Sequence, residues 1–102
     1  MRDITRALGH LIDMDEAKFE LGTILATSGV SHAFTGSTIV SCLSRHVSGA
    51  WGDVSASDVA ANEVALRDGE RILSVYVCHG EKLWVITEAD RTVTTVLLPS
   101  EY

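Results

Sequence analysis

The chain has 102 residues, of which 46% are hydrophobic and 22% charged. A chain of this length forms one domain with a single core, which excludes enzymes built from two domains around a cofactor crevice. Its 14 acidic and 8 basic residues give a formal net charge of −6, and because the basic residues are scattered, direct nucleic-acid binding is not expected.

The N-terminal segment predicts a short amphipathic helix. Its polar residues are largely acidic, unlike those of helices that insert at a membrane surface, and no apolar run in the chain approaches the roughly 20 residues of a membrane span. Such a helix packs on its own domain or on a second copy of the chain, so a homodimer is one expected arrangement. We therefore distinguish an N-terminal amphipathic helical extension, residues 1–17, from a single α+β domain, residues 18–102. The apolar residues at helical spacing are Ile4, Leu8, Leu11 and Ile12.

A strand and a short helical segment are predicted next. Residues Lys18–Thr27 place apolar side chains around Gly22, which predicts a strand with a bulge or a close backbone approach at the glycine. Residues Val30–Phe34 then predict one or two helical turns.

Two longer helices are predicted in the middle of the chain. The first is capped by Ser37 or Thr38 and runs to about Val47, with apolar residues four apart on one stripe. The second begins at Ser55, which resembles a capping box with the acid three residues later, and it stops at Gly69.

Three strands are predicted in the last third, where β-branched and aromatic residues concentrate. They cover Arg71–Cys78, Lys82–Glu88 and Thr92–Leu98, and their short connections require an antiparallel meander. The predicted fold is α+β, in the order α-β-α-α-β-β-β. It is an antiparallel sheet of about four strands, one early strand plus the C-terminal meander, covered on one face by two or three helices.

Two cysteine-histidine pairs lie close together in the sequence. Cys42 and His46 lie four apart on a predicted helix and share a face, as a thiol-imidazole pair or two metal ligands would. Cys78 and His79 are adjacent on a strand and point to opposite faces. Two ligands do not make a site, so no metal and no cofactor is expected, and Cys42 is interpreted as a core thiol. Both cysteines are expected to be reduced, which places the protein in the cytoplasm.

The chain lacks the local motifs of common enzymes, such as a nucleophile elbow or a glycine-rich phosphate loop, and it is not expected to be an enzyme. Glu88, Asp90 and Arg91 stand at a hairpin turn, where an aspartate usually bonds to its own backbone, and turn stabilisation is favoured over a catalytic acid pair. Trp51, in a glycine-flanked loop, either fills the core or anchors a partner, and the core role is favoured. Asn62 is either solvent-facing or hydrogen-bonded.

From Phe19 onward the chain resembles a family called "plasmid-related protein", which plasmids, integrated elements and phages carry. Some members are called a type I restriction modification subunit, but this chain has neither a cofactor glycine motif after a strand nor an N-P-P-[FY] tetrapeptide. The family often has Phe at the position of Cys42, which implies a packing role there, and residues 1–18 extend beyond most members. The matching stretches include Phe19–Gly22, Arg45–Gly49, Trp51–Asp53, Ala61–Glu63 and Trp84–Arg91.

A small acidic domain of a mobile element is interpreted as an interaction protein. We expect a host-defence antagonist, of the anti-CRISPR or anti-restriction type, that binds a host or plasmid protein with a basic surface, such as a nucleic-acid-handling complex. One alternative is an accessory or regulatory dimerising module of a plasmid or phage, and another is a small enzyme with His46 or His79 as a base. The predicted binding residues are Asp53, Asp58, Glu63, Asp68, Glu81, Glu88, Asp90 and Trp51.

Overall fold

Five strands and four helices form an α+β fold in a computed structural model that describes residues 1–102. The predicted fold class is confirmed. None of the helices combines the length and the apolar composition that crossing a membrane requires. In chain order the elements are β1 (Arg2–Asp3), α1 (Thr5–Leu8), a 3-10 turn (Gly9–Leu11), β2 (Thr23–Ala26), α2 (Ser28–Ala33), α3 (Gly36–Val47), α4 (Ala56–Asp68), β3 (Ile72–Cys78), β4 (Glu81–Thr87), β5 (Val93–Leu97) and a second 3-10 turn (Pro99–Glu101).

The sheet has the strand order β1-β2-β5-β4-β3 and is mixed. The predicted meander of β3, β4 and β5 is antiparallel throughout. The prediction of four antiparallel strands is wrong, because a fifth strand is present and β2 pairs parallel with β5. The connection from β2 to the meander contains three helices, which return the chain to the same end of the sheet, and a parallel pair needs a crossover of this length.

The N-terminal segment forms less helix than predicted. Its first residues make β1, in which Arg2 and Asp3 lie opposite Ala26 and Leu25 of β2. The helix α1 has only four residues before the 3-10 turn. Pairing with β2 satisfies backbone groups along an edge that would otherwise be free. The apolar residues Ile4 and Ile12 are buried in the main core, so this segment packs against residues 18–102.

Helices cover one face of the sheet, and α3 packs against β3 and β4. The stripe Ile39, Leu43 and Val47 is buried there, as predicted. The helix begins earlier than expected, because the Oγ1 atom of Thr35 accepts from the amide of Thr38 at 3.2 Å. Capping of α4 by Ser55 is confirmed, since its Oγ accepts from the amide of Asp58 at 3.1 Å.

The opposite face of the sheet carries the C-terminus. The Tyr102 ring packs on Trp84 with ring centroids 5.4 Å apart, and Arg71 donates a hydrogen bond of 2.8 Å to the Tyr102 hydroxyl. Trp84 is therefore half-buried on this second face.

Candidate functional site

The carboxylates of α4 do not form a single stripe. Asp58, Glu63 and Asp68 are all exposed, but they are spaced five residues apart. Five residues turn a helix by about 140°, so the three side chains leave α4 in different directions. Asp53, which is also exposed, lies in the loop before the helix. A partner that contacts all four must therefore reach around α4.

Arg91 brings a second group of acids together. Its guanidinium donates to the backbone carbonyls of Ala65, Glu70 and Glu88, at 2.9, 2.6 and 3.0 Å. These bonds join the last turn of α4 to the turn between β4 and β5. We call the four acids near this junction the acidic end: Asp68, Glu70, Glu88 and Asp90.

Glu70 is the member of the acidic end that is absent from the predicted binding residues. It directly follows Gly69, which ends α4 with a φ of 72°. The sequence near Glu70 shows only that it lies just before a predicted strand. Its approach to the β4–β5 turn depends on the distant Arg91, which donates to the Glu70 carbonyl. Glu81 is separate from this group. It begins β4, while the β4–β5 turn follows the other end of that strand, roughly 20 Å away for a strand of this length.

The predicted role of Asp90 in stabilising the β4–β5 turn is confirmed. The Oδ1 atom of Asp90 accepts from the Thr92 hydroxyl at 2.7 Å and from the Thr92 amide at 3.1 Å. These hydrogen bonds lower the pKa of Asp90 below its usual value. Arg91 holds the left-handed conformation, with a φ of 61°, and Glu88 forms an ion pair of 3.5 Å with Arg71.

Trp51 fills the core and does not present its indole to a partner. Its side chain is 5% exposed and packs between Phe19, at a ring-centroid distance of 6.3 Å, and His46, at 6.1 Å. The favoured core role is therefore the observed one, and we remove Trp51 from the predicted binding residues. The indole belongs to a second small core with Ala65 and Ile72, where α4 meets β3.

His46 is enclosed by hydroxyl groups. It is fully buried, with Nδ1 at 2.5 Å from Ser74 Oγ and Nε2 at 2.9 Å from Thr87 Oγ1. Thr87 Oγ1 lies 2.8 Å from Thr94 Oγ1, and the Thr94 hydroxyl donates to the carbonyl of Leu21 at 2.7 Å. Neither ring nitrogen bonds to Cys42, so the two side chains do not form a thiol-imidazole pair. Cys42 is buried in the main core, as its interpretation as a core thiol expects.

The order of these hydrogen bonds assigns the His46 tautomer. Because the Thr94 hydroxyl donates to a carbonyl, it accepts from Thr87, and the Thr87 hydroxyl accepts in turn from Nε2–H of His46. Nδ1 is then the acceptor for Ser74. Burial, with a smaller contribution from Arg91, lowers the pKa of His46 to about 3. The imidazole is therefore neutral and has no free lone pair for a substrate.

The other predicted histidine base lies in a hairpin turn. His79 is exposed, and it forms the β3–β4 turn with Gly80, both residues having positive φ, 54° and 79°. This pattern is that of a tight type I′ hairpin. No three His, Cys, Asp or Glu side chains lie close enough together to hold a metal ion.

Comparisons with known proteins add no assignment. No protein-family model matches the chain. No curated protein and no solved structure matches it. The resemblance to the plasmid-related proteins therefore stays a prediction that depends on the matching stretches of sequence.

Proposed function

We propose that this protein is a non-enzymatic interaction protein of a mobile genetic element. In this proposal it acts in the cytoplasm and antagonises a host defence complex of the CRISPR or restriction type by stoichiometric binding. The observation that supports it most is the surface formed by the carboxylates around α4 and the β4–β5 turn, which leave α4 in several directions and so suit a partner that reaches around this helix. We call this surface the acidic flank. It comprises the acidic end together with Asp53, Asp58 and Glu63.

The acidic flank carries more carboxylates than cations. Arg91 keeps its positive charge while it donates to three backbone carbonyls. Asp68 and Glu88 form ion pairs with Arg67 and Arg71. By contrast, Asp53, Asp58 and Glu63 take part in no ion pair. The seven carboxylates of the acidic flank outnumber the three arginines beside them, and such a surface attracts a basic partner over several ångströms.

A groove built to hold nucleic acid is the kind of partner surface that suits the acidic flank. Such grooves present Lys and Arg side chains to phosphates, and carboxylates on a rigid helix and turn offer the same sign of charge. The acidic flank has this rigidity, because α4 is fixed to β3 and its last turn is fixed to the β4–β5 turn.

The surroundings of the histidines also favour binding over catalysis. The His46 imidazole is enclosed, and both its nitrogens are hydrogen-bonded. His79 is exposed at the tip of a hairpin, and no hydrogen bond of its side chain orients it as a base. A general base needs both access to a substrate and a pKa near the working pH.

The proposal is tested by challenge of a bacterial host that carries an active restriction or CRISPR system. Expression of the protein is expected to raise phage plating efficiency, and the double variant Asp58→Lys and Glu63→Lys is expected to lose this effect. Both side chains are exposed, so the fold should be kept, with a modest fall in melting temperature because Asp58 lies in the first turn of α4, where a carboxylate is favoured over a lysine.

The matched control is the double variant Asp15→Lys and Glu16→Lys, which makes the same change in net charge on the N-terminal segment. It should protect phage as well as the wild type does. Equal protection by both double variants would contradict a role for the acidic flank. Absence of protection by the wild type against either defence system would contradict the proposed function itself.

One observation favours the alternative of an accessory dimerising module. Leu11 and Met14 are 56% and 45% exposed, although Ile12, between them in the sequence, is buried in the main core. A dimer formed through them would dissociate when both are changed to Ser, as measured by mass in solution. Truncation of the segment is a poorer test, because Ile4 and Ile12 belong to the main core.

A further inference from the structure

Helix α3 lies along strand β3, and two side-chain pairs show their relative position. His46 of α3 reaches Ser74 of β3 at 2.5 Å, and the Arg45 guanidinium lies 4.5 Å from the centre of the Tyr76 ring. Ser74 and Tyr76 are two residues apart and share the face of β3 that the helices cover. The two elements therefore run in opposite directions, so that earlier residues of α3 meet later residues of β3.

Continuing this pattern brings the two cysteines together. Cys42 is one helical turn before Arg45 and His46, on the buried stripe of α3, with 2% exposure. Cys78 ends β3, on the same face as Tyr76, and it packs against the main core while remaining half-buried. Both side chains line one cavity of about 310 Å³, which Arg45 and the exposed His79 also line.

The two thiols differ in accessibility. Burial, followed by the neighbouring Cys78 thiol, raises the pKa of Cys42 to about 12. Cys42 is therefore a protonated thiol enclosed in the core, whereas Cys78 is the sulfur that a small molecule in the cavity reaches. A redox site of the two-cysteine kind has one accessible sulfur that reacts first and a second sulfur that resolves the product.

We infer that Cys42 and Cys78 are a peroxide-sensitive thiol pair that closes to an intramolecular disulfide. The inference does not depend on the proposed function. Both cysteines are free in the structure, which corresponds to the reduced state. The ligand of the cavity is a small hydroperoxide, with hydrogen peroxide as the simplest member of the class.

The reaction has two balanced steps. In the first, the Cys78 thiolate attacks one oxygen of hydrogen peroxide, the O–O bond breaks, and Cys78 becomes a sulfenic acid while the leaving hydroxide takes a proton to form water. In the second, the Cys42 sulfur attacks the Cys78 sulfur, the S–O bond breaks, and the departing hydroxide takes the Cys42 proton as a second water. Two thiols have lost two electrons and two protons to one peroxide.

The disulfide would fasten the end of β3, and with it the β3–β4 hairpin, to α3. A cross-link between residues 42 and 78 restricts the unfolded chain over a long loop. We expect the melting temperature of the oxidised protein to exceed that of the reduced protein by roughly 10 °C. Dithiothreitol should reverse the change.

The test is oxidation of the folded chain with hydrogen peroxide, followed by mass spectrometry of non-reduced peptides. The expected product is a peptide pair joined through Cys42 and Cys78, lighter by about 2 Da than the sum of the two thiol peptides. Peptide analysis is needed because Met1 and Met14 are exposed and take up oxygen independently. Disulfides only between two molecules, or progressive oxidation of Cys78 without a cross-link, would overturn the inference.

Two variants separate the roles of the cysteines. Cys42→Ala should leave a sulfenic acid at Cys78 that dimedone traps, and it should abolish the peroxide-dependent rise in melting temperature. Cys78→Ala should leave Cys42 unmodified by peroxide over the same time, because Cys42 is enclosed. If Cys78→Ala still becomes oxidised at Cys42 as fast as the wild type, the assignment of Cys78 as the reacting sulfur is wrong.

Discussion

The carboxamide of Asn62 on α4 hydrogen-bonds both backbone groups of Leu73 on β3. Its Nδ2 donates to the Leu73 carbonyl at 2.7 Å, and the Leu73 amide donates to its Oδ1 at 3.1 Å. Two residues further along the same edge, the Val75 amide donates to the Trp51 carbonyl at 3.0 Å, and the Asp53 amide donates to the Val75 carbonyl at 2.7 Å. The outer edge of the sheet is thereby closed to another strand over most of β3, and an open edge of this kind promotes aggregation.

Replacing Asn62 with Ala is expected to lower the free energy of unfolding by about 2 kcal/mol, because it leaves two backbone groups without partners. Urea denaturation monitored by circular dichroism measures this loss. The neighbouring variant Glu63→Ala, at an exposed position of the same helix, should stay within about 0.5 kcal/mol of the wild type. Equal denaturation midpoints for the two variants would show that the carboxamide is not needed at this edge.

Acidification is expected to destabilise the protein through His46. The folded state keeps this imidazole neutral down to a pKa of about 3, whereas the unfolded chain binds a proton below about 6.5. Between these values the unfolded state holds more protons, so the free energy of unfolding falls as the pH falls, by up to about 1.4 kcal/mol per pH unit.

This pH dependence is measured by urea denaturation between pH 6.5 and 5, above the range in which the carboxylates protonate. The variant His46→Gln should lose the slope. His10→Gln, at an exposed position, should keep it. A wild-type stability that is flat over this interval would contradict the enclosed neutral state of His46.

The glycine at position 22 is required by a close approach of two chain segments. Its φ is 64°, and a Cβ atom there would overlap the carbonyl oxygen of Thr92. Gly22→Ala should therefore cost more than about 2 kcal/mol of stability through both strain and overlap. Gly69→Ala is the matched variant, since Gly69 has a similar φ of 72° but a Cβ atom there would meet no other atom within 4 Å.

For Gly69→Ala we expect the free energy of unfolding to fall by only about 1 kcal/mol, because backbone strain is the only cost there. Thermal denaturation of both variants separates the two contributions. If Gly22→Ala were no less stable than Gly69→Ala, the parallel contact of β2 with the start of β5 would not be as tight as described.

The junction at Arg91 should depend on the shape of the guanidinium and not on its charge. Arg91→Lys keeps the charge, but its single nitrogen cannot occupy both positions from which Nη1 and Nη2 of Arg91 reach the three carbonyls. We expect the free energy of unfolding to fall by about 2 kcal/mol. Arg67→Lys, where the side chain is 71% exposed, should be neutral within about 0.5 kcal/mol. The free energies of unfolding of the two variants in urea decide this, and similar values would argue against the junction.

The C-terminal meander and the two longer helices were predictable from the sequence, because their signals are local. A run of β-branched residues, a short connection, the Ser55 cap and Gly69 each act within a few residues. The exposure of the carboxylates of α4 was predictable as well, because an ionised carboxylate is costly to bury without a partner.

Other features came from contacts between residues that are far apart in the chain. The strand β1, the parallel pairing of β2 with β5, the gathering of the acidic end around Arg91 and the enclosure of His46 belong to this group. Ser74 and Thr87 stand 28 and 41 residues from His46, so no local pattern indicates that both of its nitrogens are satisfied. Periodicity and turn residues report the preferences of a short segment, whereas the pairing of edges and the satisfaction of buried polar groups depend on how the segments meet when the whole chain packs.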